Sequence, residues 1–162
     1  MSPDSAPSDL FARTRHTRPS GALGLCRLLL GLLFASTGLM KFVVPSLREA
    51  FSGQLAAAGL PFHFLNMWMV PLVELLVGVA LLAGFFSRLA SLVAIGMMFV
   101  ATYVHLVVDD PSLFPLQPEE PIIPLVAIAI CLYVSRKGSG SWSLDLRQQA
   151  TWREERRASW HE

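Results

Sequence analysis

Phe64 to Phe86 reads FLNMWMVPLVELLVGVALLAGFF, 23 residues whose only charged side chain is Glu74. At 1.5 Å per residue, a helix of that length crosses the roughly 30 Å hydrocarbon layer of a bilayer. Working outward, Leu89–Val108 supplies a second run of 20 residues and Ala22–Met40 a third of 19. A fourth run, Ile122–Val134, reaches only about 20 Å as a helix. To span, it must take Pro118, Glu119, Glu120 and Pro121 as its first turn. Prolines are tolerated there because first-turn N–H groups have no helical partner, and carboxylates suit the positive helix end. The expected spans are therefore about 22–41, 64–86, 89–108 and 118–135. The fold class that follows is all-α, an integral membrane four-helix bundle.

Composition agrees with this reading. Of 162 residues, 53% are hydrophobic and only 15% charged, with a mean hydropathy of +0.50. Gathering of apolar residues into long blocks excludes a water-soluble enzyme and a disordered chain. Alternating ten-residue segments are absent, which excludes a membrane β-barrel. A net charge of +1, carried mostly near the ends, gives no nucleic-acid surface. Both cysteines, Cys26 and Cys131, fall inside apolar blocks, so no secreted disulfide framework is present.

The flanks set the domain organisation. Residues 1–20 are rich in Ser, Pro, Asp and Arg and read as a disordered tail. The 19-residue run behind them is too long for a signal-peptide core, and no clear small-residue cleavage site closes it. Residues 21–145 form the membrane domain. Residues 146–162 form a basic tail helix, with Trp142, Trp152 and Trp160 as interfacial anchors. Arg13, Arg15, Arg18, Arg88, Arg136, Lys137 and Arg147 flank one side. Asp109, Asp110, Glu119 and Glu120 gather on the other, with Lys41 and Arg48. The excess of basic residues places both termini in the cytoplasm. The first connection, Pro45–Pro61, holds a weakly amphipathic piece (Leu47, Phe51, Leu55) expected at the outer interface.

An ionisable side chain inside a span costs about 2.5–3.5 kcal/mol on insertion scales, so each needs a partner or a purpose. Lys41, Glu74, His105 and the Glu119–Glu120 pair all fall in the outer half, one contribution from each span. Arg27, Gly31, Phe34, Gly38 and Lys41 share one helical face, as do Ser91, Ala94, Met98, Ala101 and His105. Gly24, Gly31 and Gly38 recur every seven residues, allowing close backbone approach. Three readings stay open. Glu74 pairs with Lys41 or Arg27 and simply locks the bundle; the group forms a ligand pocket; or it forms a proton path. Arg27, on the inner side, faces inner-leaflet phosphates or the exit after the fourth span, where Asp145 is its candidate partner. Cys26 and Cys131 share a depth and form a conceivable redox pair, although free cysteines are common in apolar cores. Haem, nucleotide and structural-metal motifs are absent, and one bundle histidine is too little for a metal site.

Four segments follow one another along the chain: Cys26-Arg27-Leu28 through Thr37-Gly38-Leu39-Met40-Lys41-Phe42; Pro71-Leu72-Val73-Glu74-Leu75-Leu76-Val77-Gly78 followed by Gly84; Phe99-Val100-Ala101-Thr102-Tyr103-Val104-His105; and Gly138-Ser139-Gly140-Ser141-Trp142-Ser143-Leu144-Asp145. In that order they resemble the first three helices and the exit motif of the DoxX family of four-helix bacterial membrane proteins. The chain departs from the pattern in a third connection with four prolines (Pro111, Pro115, Pro118, Pro121) and a longer basic tail.

This resemblance implies a location in the bacterial cytoplasmic (inner) membrane and redox work there. Some members resemble the membrane subunit of a thiosulfate:quinone oxidoreductase, and others associate with thiol and superoxide redox partners. On that reading the outer-half pocket takes a quinone or a small sulfur compound at Lys41, Glu74, His105, Glu119 and Glu120. His105 exchanges a proton with the ligand and Glu74 orients it. A partner redox subunit or bound organic ligand supplies the electron carrier. The competing reading is a non-catalytic scaffold, self-associating or docking a cytoplasmic protein through its basic tail.

Overall fold

The computed structural model describes residues 17, 19–115, 118 and 120–159, the side chains of 152–159 excepted. Among these residues every regular element is helical. Helix α1, Gly21–Val43, opens on Ser20, whose hydroxyl accepts from the Leu23 N–H. It ends where Pro45 forces the preceding Val44 into an extended conformation, φ −110° and ψ 105°. Pro45 then starts α2, Pro45–Ala57, at the position where its missing N–H costs nothing. Helix α3, His63–Ala83, is closed by Gly84 at φ 66°. The Gly84 N–H donates to Leu81 and that of Phe85 to Ala80, satisfying two of the last carbonyls. Helix α4, Ser87–Val107, leads to a single 3₁₀ turn, Pro111–Leu113, and then to α5, Ile122–Lys137. Helix α6, Leu144–Ser159, follows the exit loop.

Helices α1, α3 and α4, of 23, 21 and 21 residues, are long and apolar enough to cross a membrane. Helix α5 has 16 residues, about 24 Å. It does not recruit the expected proline-flanked first turn. Pro121 stands outside it at ψ 37°, and the Ile122 N–H donates back to Glu120 O. The pyrrolidine of Pro121 disfavours helical geometry at Glu120, so the helix starts only beyond it. Glu119 lies outside the described residues.

The closest packing is between α1 and α3 and between α4 and α5, with α1–α5 and α3–α4 contacts completing the set. Glycine makes the α1–α3 seam. A Cβ on Gly31 would sit 2.8 Å from the Leu82 nitrogen, and one on Gly38 2.7 Å from the Leu75 nitrogen. A Cβ on Gly78 would collide with the Ala35 backbone. Rising numbers on α1 meet falling numbers on α3, so the two run antiparallel. Phe34, Leu81, Ala94, Cys131 and Val134 fill the core between helices, while Leu32, Leu76, Leu92, Phe99 and Val126 face outward. Apolar side chains on both the inside and the outside suit a hydrocarbon solvent.

Of residues 1–20, Thr17, Pro19 and Ser20 are described, and Thr17 is buried; the rest of the expected tail lies outside the described residues. Its hydroxyl accepts from the Gly140 N–H at 2.8 Å, and its own N–H donates to the Gln149 carboxamide.

Candidate functional site

Buried polar groups collect at two ends of the molecule. At the α2 end, Gly38 brings α3 close enough for Glu74 to reach Lys41. Their ion pair is 2.5 Å long, with side chains only 16% and 8% exposed. The Lys41 ammonium also lies 4.8 Å from the Phe51 ring centroid, so α2 covers the pair with an aromatic face. Nearby on α2, the Arg48 guanidinium stacks over Trp68 at 5.7 Å. Of Lys41 and Arg27, the partners open to Glu74 in sequence, the fold selects Lys41.

His105 forms a separate feature at that end. Its Nδ1 lies 2.9 Å from the Ala101 carbonyl, one turn back on α4. A carbonyl only accepts, so Nδ1 carries a hydrogen; whenever the ring is neutral, Nε2 is then the acceptor. Nε2 is buried and has no hydrogen-bond partner among the described residues. The ring lies against Phe114 with centroids 4.5 Å apart. Among the described residues no hydrogen bond or ion pair joins His105 to Glu74, so the Ala101 carbonyl holds the ring and Glu74 does not. Glu120 is exposed. Asp110, beside the 3₁₀ turn, accepts from the Ser112 hydroxyl and N–H, which hold its carboxyl below the usual range.

At the opposite end Arg27 is fully buried. Its Nε donates to Ser139 O at 2.9 Å, Nη1 to the carbonyls of Leu81 and Leu82, and Nη2 to those of Ser141 and Trp142. A guanidinium thus sits on the negative end of α3 and on the exit loop together. Asp145 takes the complementary place. Its carboxylate accepts from the N–H groups of Phe86 and Ser87, at the positive end of α4, and from the Ser139 hydroxyl. Arg27 and Asp145 are therefore coupled through Ser139, which offers its carbonyl to one and its hydroxyl to the other. The sequence pointed to the pair; the carbonyl cage around Arg27 has no sequence signature.

The model of the DoxX family matches residues 22–106, just over half of the chain. The chain belongs to the DoxX family. None of the curated proteins and none of the solved structures compared with it matches. The DoxX match contains Arg27, Lys41, Glu74 and, one residue before its end, His105. Helix α5, the exit loop and Asp145 lie beyond it, although they complete the Arg27 cage. This DoxX protein is a membrane protein. Cys26 and Cys131 are free thiols, Cys131 buried and Cys26 partly so. Among the described residues, no group of three His, Cys, Asp or Glu side chains is placed to hold a metal ion. A groove of about 230 Å³ between α1 and α5, lined by Leu29, Leu33, Ile122, Val126 and Ile130, offers only aliphatic contacts.

Proposed function

We propose that this DoxX protein is a redox-linked subunit of the bacterial cytoplasmic membrane, a four-span bundle with both termini inside and a ligand site at His105. The observation that carries the reading is the buried Nε2, which has no hydrogen-bond partner among the described residues. A buried polar atom costs free energy unless it is hydrogen-bonded, so a ligand group that donates or accepts there would be favoured. With Nδ1 bonded to Ala101, neutral His105 accepts from a hydroxyl or thiol; once protonated, it donates to a carbonyl. Those two states match a quinol and a quinone, or a small thiol and its oxidised form. A bound quinone would supply two-electron chemistry. His105 would orient the ligand oxygen and hold or release one proton there, and Phe114 would shield it from water. Lys41, Glu74 and Phe51 would frame the same half of the bundle as structure.

Two features favour the scaffold reading instead: Glu74 is ion-paired with Lys41 through Oε2, and Arg27 is saturated by carbonyls. Gentle extraction separates the two. Quinones and co-purifying chains are identified by mass spectrometry from wild type, His105→Ala and Glu74→Gln. The redox reading expects quinone or a thiol-redox partner with wild type and loss of the quinone in His105→Ala at unchanged thermal stability. A wild-type protein that brings down chains but never a redox ligand or redox partner would favour the scaffold.

A further inference from the structure

Trp142 adopts a left-handed backbone conformation, φ 55°, which a bulky non-glycine residue takes only when its surroundings impose it. Here the imposing contacts are explicit. The Trp142 carbonyl accepts from Arg27 Nη2 at 3.0 Å, and the preceding Ser141 N–H donates to Ser20 O at 3.1 Å. The indole lies over the first two turns of α1, 3.2 Å from where a Cβ on Gly24 would stand. Yet the residue is 70% exposed, as are its apolar neighbours Leu25 and Leu144 in lesser degree. A buried arginine thus holds the backbone of a residue whose large amphipathic ring stands on the outside of the molecule.

The same end is basic. Arg136 and Lys137 close α5, Arg147 lies in the first turns of α6, and all three are exposed. Among the described residues none has a carboxylate within ion-pair distance. The far end presents exposed Asp109, Asp110 and Glu120. We infer that the Arg27-held exit loop is a docking surface for an anionic lipid leaflet. Trp142 lies at the boundary between headgroups and acyl chains, and lipid phosphates meet Arg136, Lys137 and Arg147. Arg27 is the positioning residue: it fixes the Trp142 backbone before lipid arrives, so little backbone freedom is lost on contact.

The test uses the full chain carrying Trp68→Phe, Trp152→Phe and Trp160→Phe, so that Trp142 is the only fluorophore of its kind. It is placed in nanodiscs of phosphatidylcholine, with or without phosphatidylglycerol. Blue-shifted Trp142 emission is expected, quenched by lipids brominated near the headgroup and little by iodide. Phosphatidylglycerol should raise the thermal midpoint by about 2–4 °C for each cation engaged. Arg136→Gln/Lys137→Gln/Arg147→Gln should abolish that rise and leave the quenching depth unchanged. Gly140→Ala, whose Cβ would press within 2.6 Å of the Gly24 nitrogen, should dislodge the loop and change the depth. Iodide quenching in place of bromolipid quenching, or a thermal midpoint indifferent to phosphatidylglycerol, overturns the inference.

Discussion

Lys41 Nζ and Glu74 Oε2 lie 2.5 Å apart across the seam between α1 and α3, one turn beyond the point where Gly38 lets the two backbones touch. The glycine and the ion pair are one device. Without close approach at Gly38, the shorter carboxylate would not meet the ammonium, and each charge would stand alone in a low-dielectric medium.

Removing one partner therefore costs more than removing both. Glu74→Gln leaves a cation without its counter-charge, and the destabilisation expected is about 1–3 kcal/mol. It stays below the range for deeply buried pairs because Lys41, two residues from the end of α1, can extend toward the interface. Lys41→Met/Glu74→Leu should return to within about 1 kcal/mol of wild type. Unfolding of the detergent-solubilised protein measures both; equal losses in the single and double variants would contradict the pairing.

Glycine-dependent packing gives a sharper contrast. Gly78→Ala drives a methyl group into the Ala35 backbone, which cannot rotate away, so a loss of about 3 kcal/mol or more is expected. Gly96 has open space around it. Gly96→Ala should be neutral or stabilising by up to about 1 kcal/mol, because alanine restricts the unfolded chain and favours helix. Thermal midpoints in one detergent rank the two variants directly.

Asp145 serves as an amino-terminal cap for α4 from the far end of the sequence. Asp145→Ala removes an acceptor from the N–H groups of Phe86 and Ser87 and from the Ser139 hydroxyl, a loss of about 1–3 kcal/mol. Asp145→Asn keeps an acceptor oxygen and should recover part of it. A double-mutant cycle with Ser139→Ala should be non-additive, since both residues belong to one network.

The His105 tautomer is directly observable. Nitrogen-15 spectra of histidine-labelled protein should show Nδ1 protonated and Nε2 bare at neutral charge, as the Ala101 carbonyl requires. Binding of a hydroxyl or thiol donor should shift the Nε2 signal and leave Nδ1 nearly unmoved. A protonated Nε2 with a bare Nδ1 would remove the basis for the proposed ligand chemistry.

Much of the fold could be read from the chain itself. A helix in lipid must satisfy its backbone internally and present apolar side chains, so the runs that became α1, α3 and α4 were visible as hydropathy alone. The seven-residue spacing of Gly24, Gly31 and Gly38 announced close backbone approach, met by α3 at Gly31 and Gly38 and by the exit loop at Gly24. The fourth helix starts later than its length alone predicts, because Pro121 disfavours helical geometry at Glu120. Hydropathy and proline restriction are properties of neighbours in sequence; the choice of partner is not. Each residue turns the helix surface by about 100°, so a small rotation or shift in depth decides whether Glu74 meets Lys41, Arg27 or His105. Only the tertiary structure fixed that choice. It alone also showed Arg27 on the carbonyls of α3 and the exit loop, Asp145 on the N–H groups of α4, and His105 with Nδ1 bonded and Nε2 buried with no partner among the described residues. Backbone carbonyls carry no side-chain signature, and their position is set only when the helices have packed.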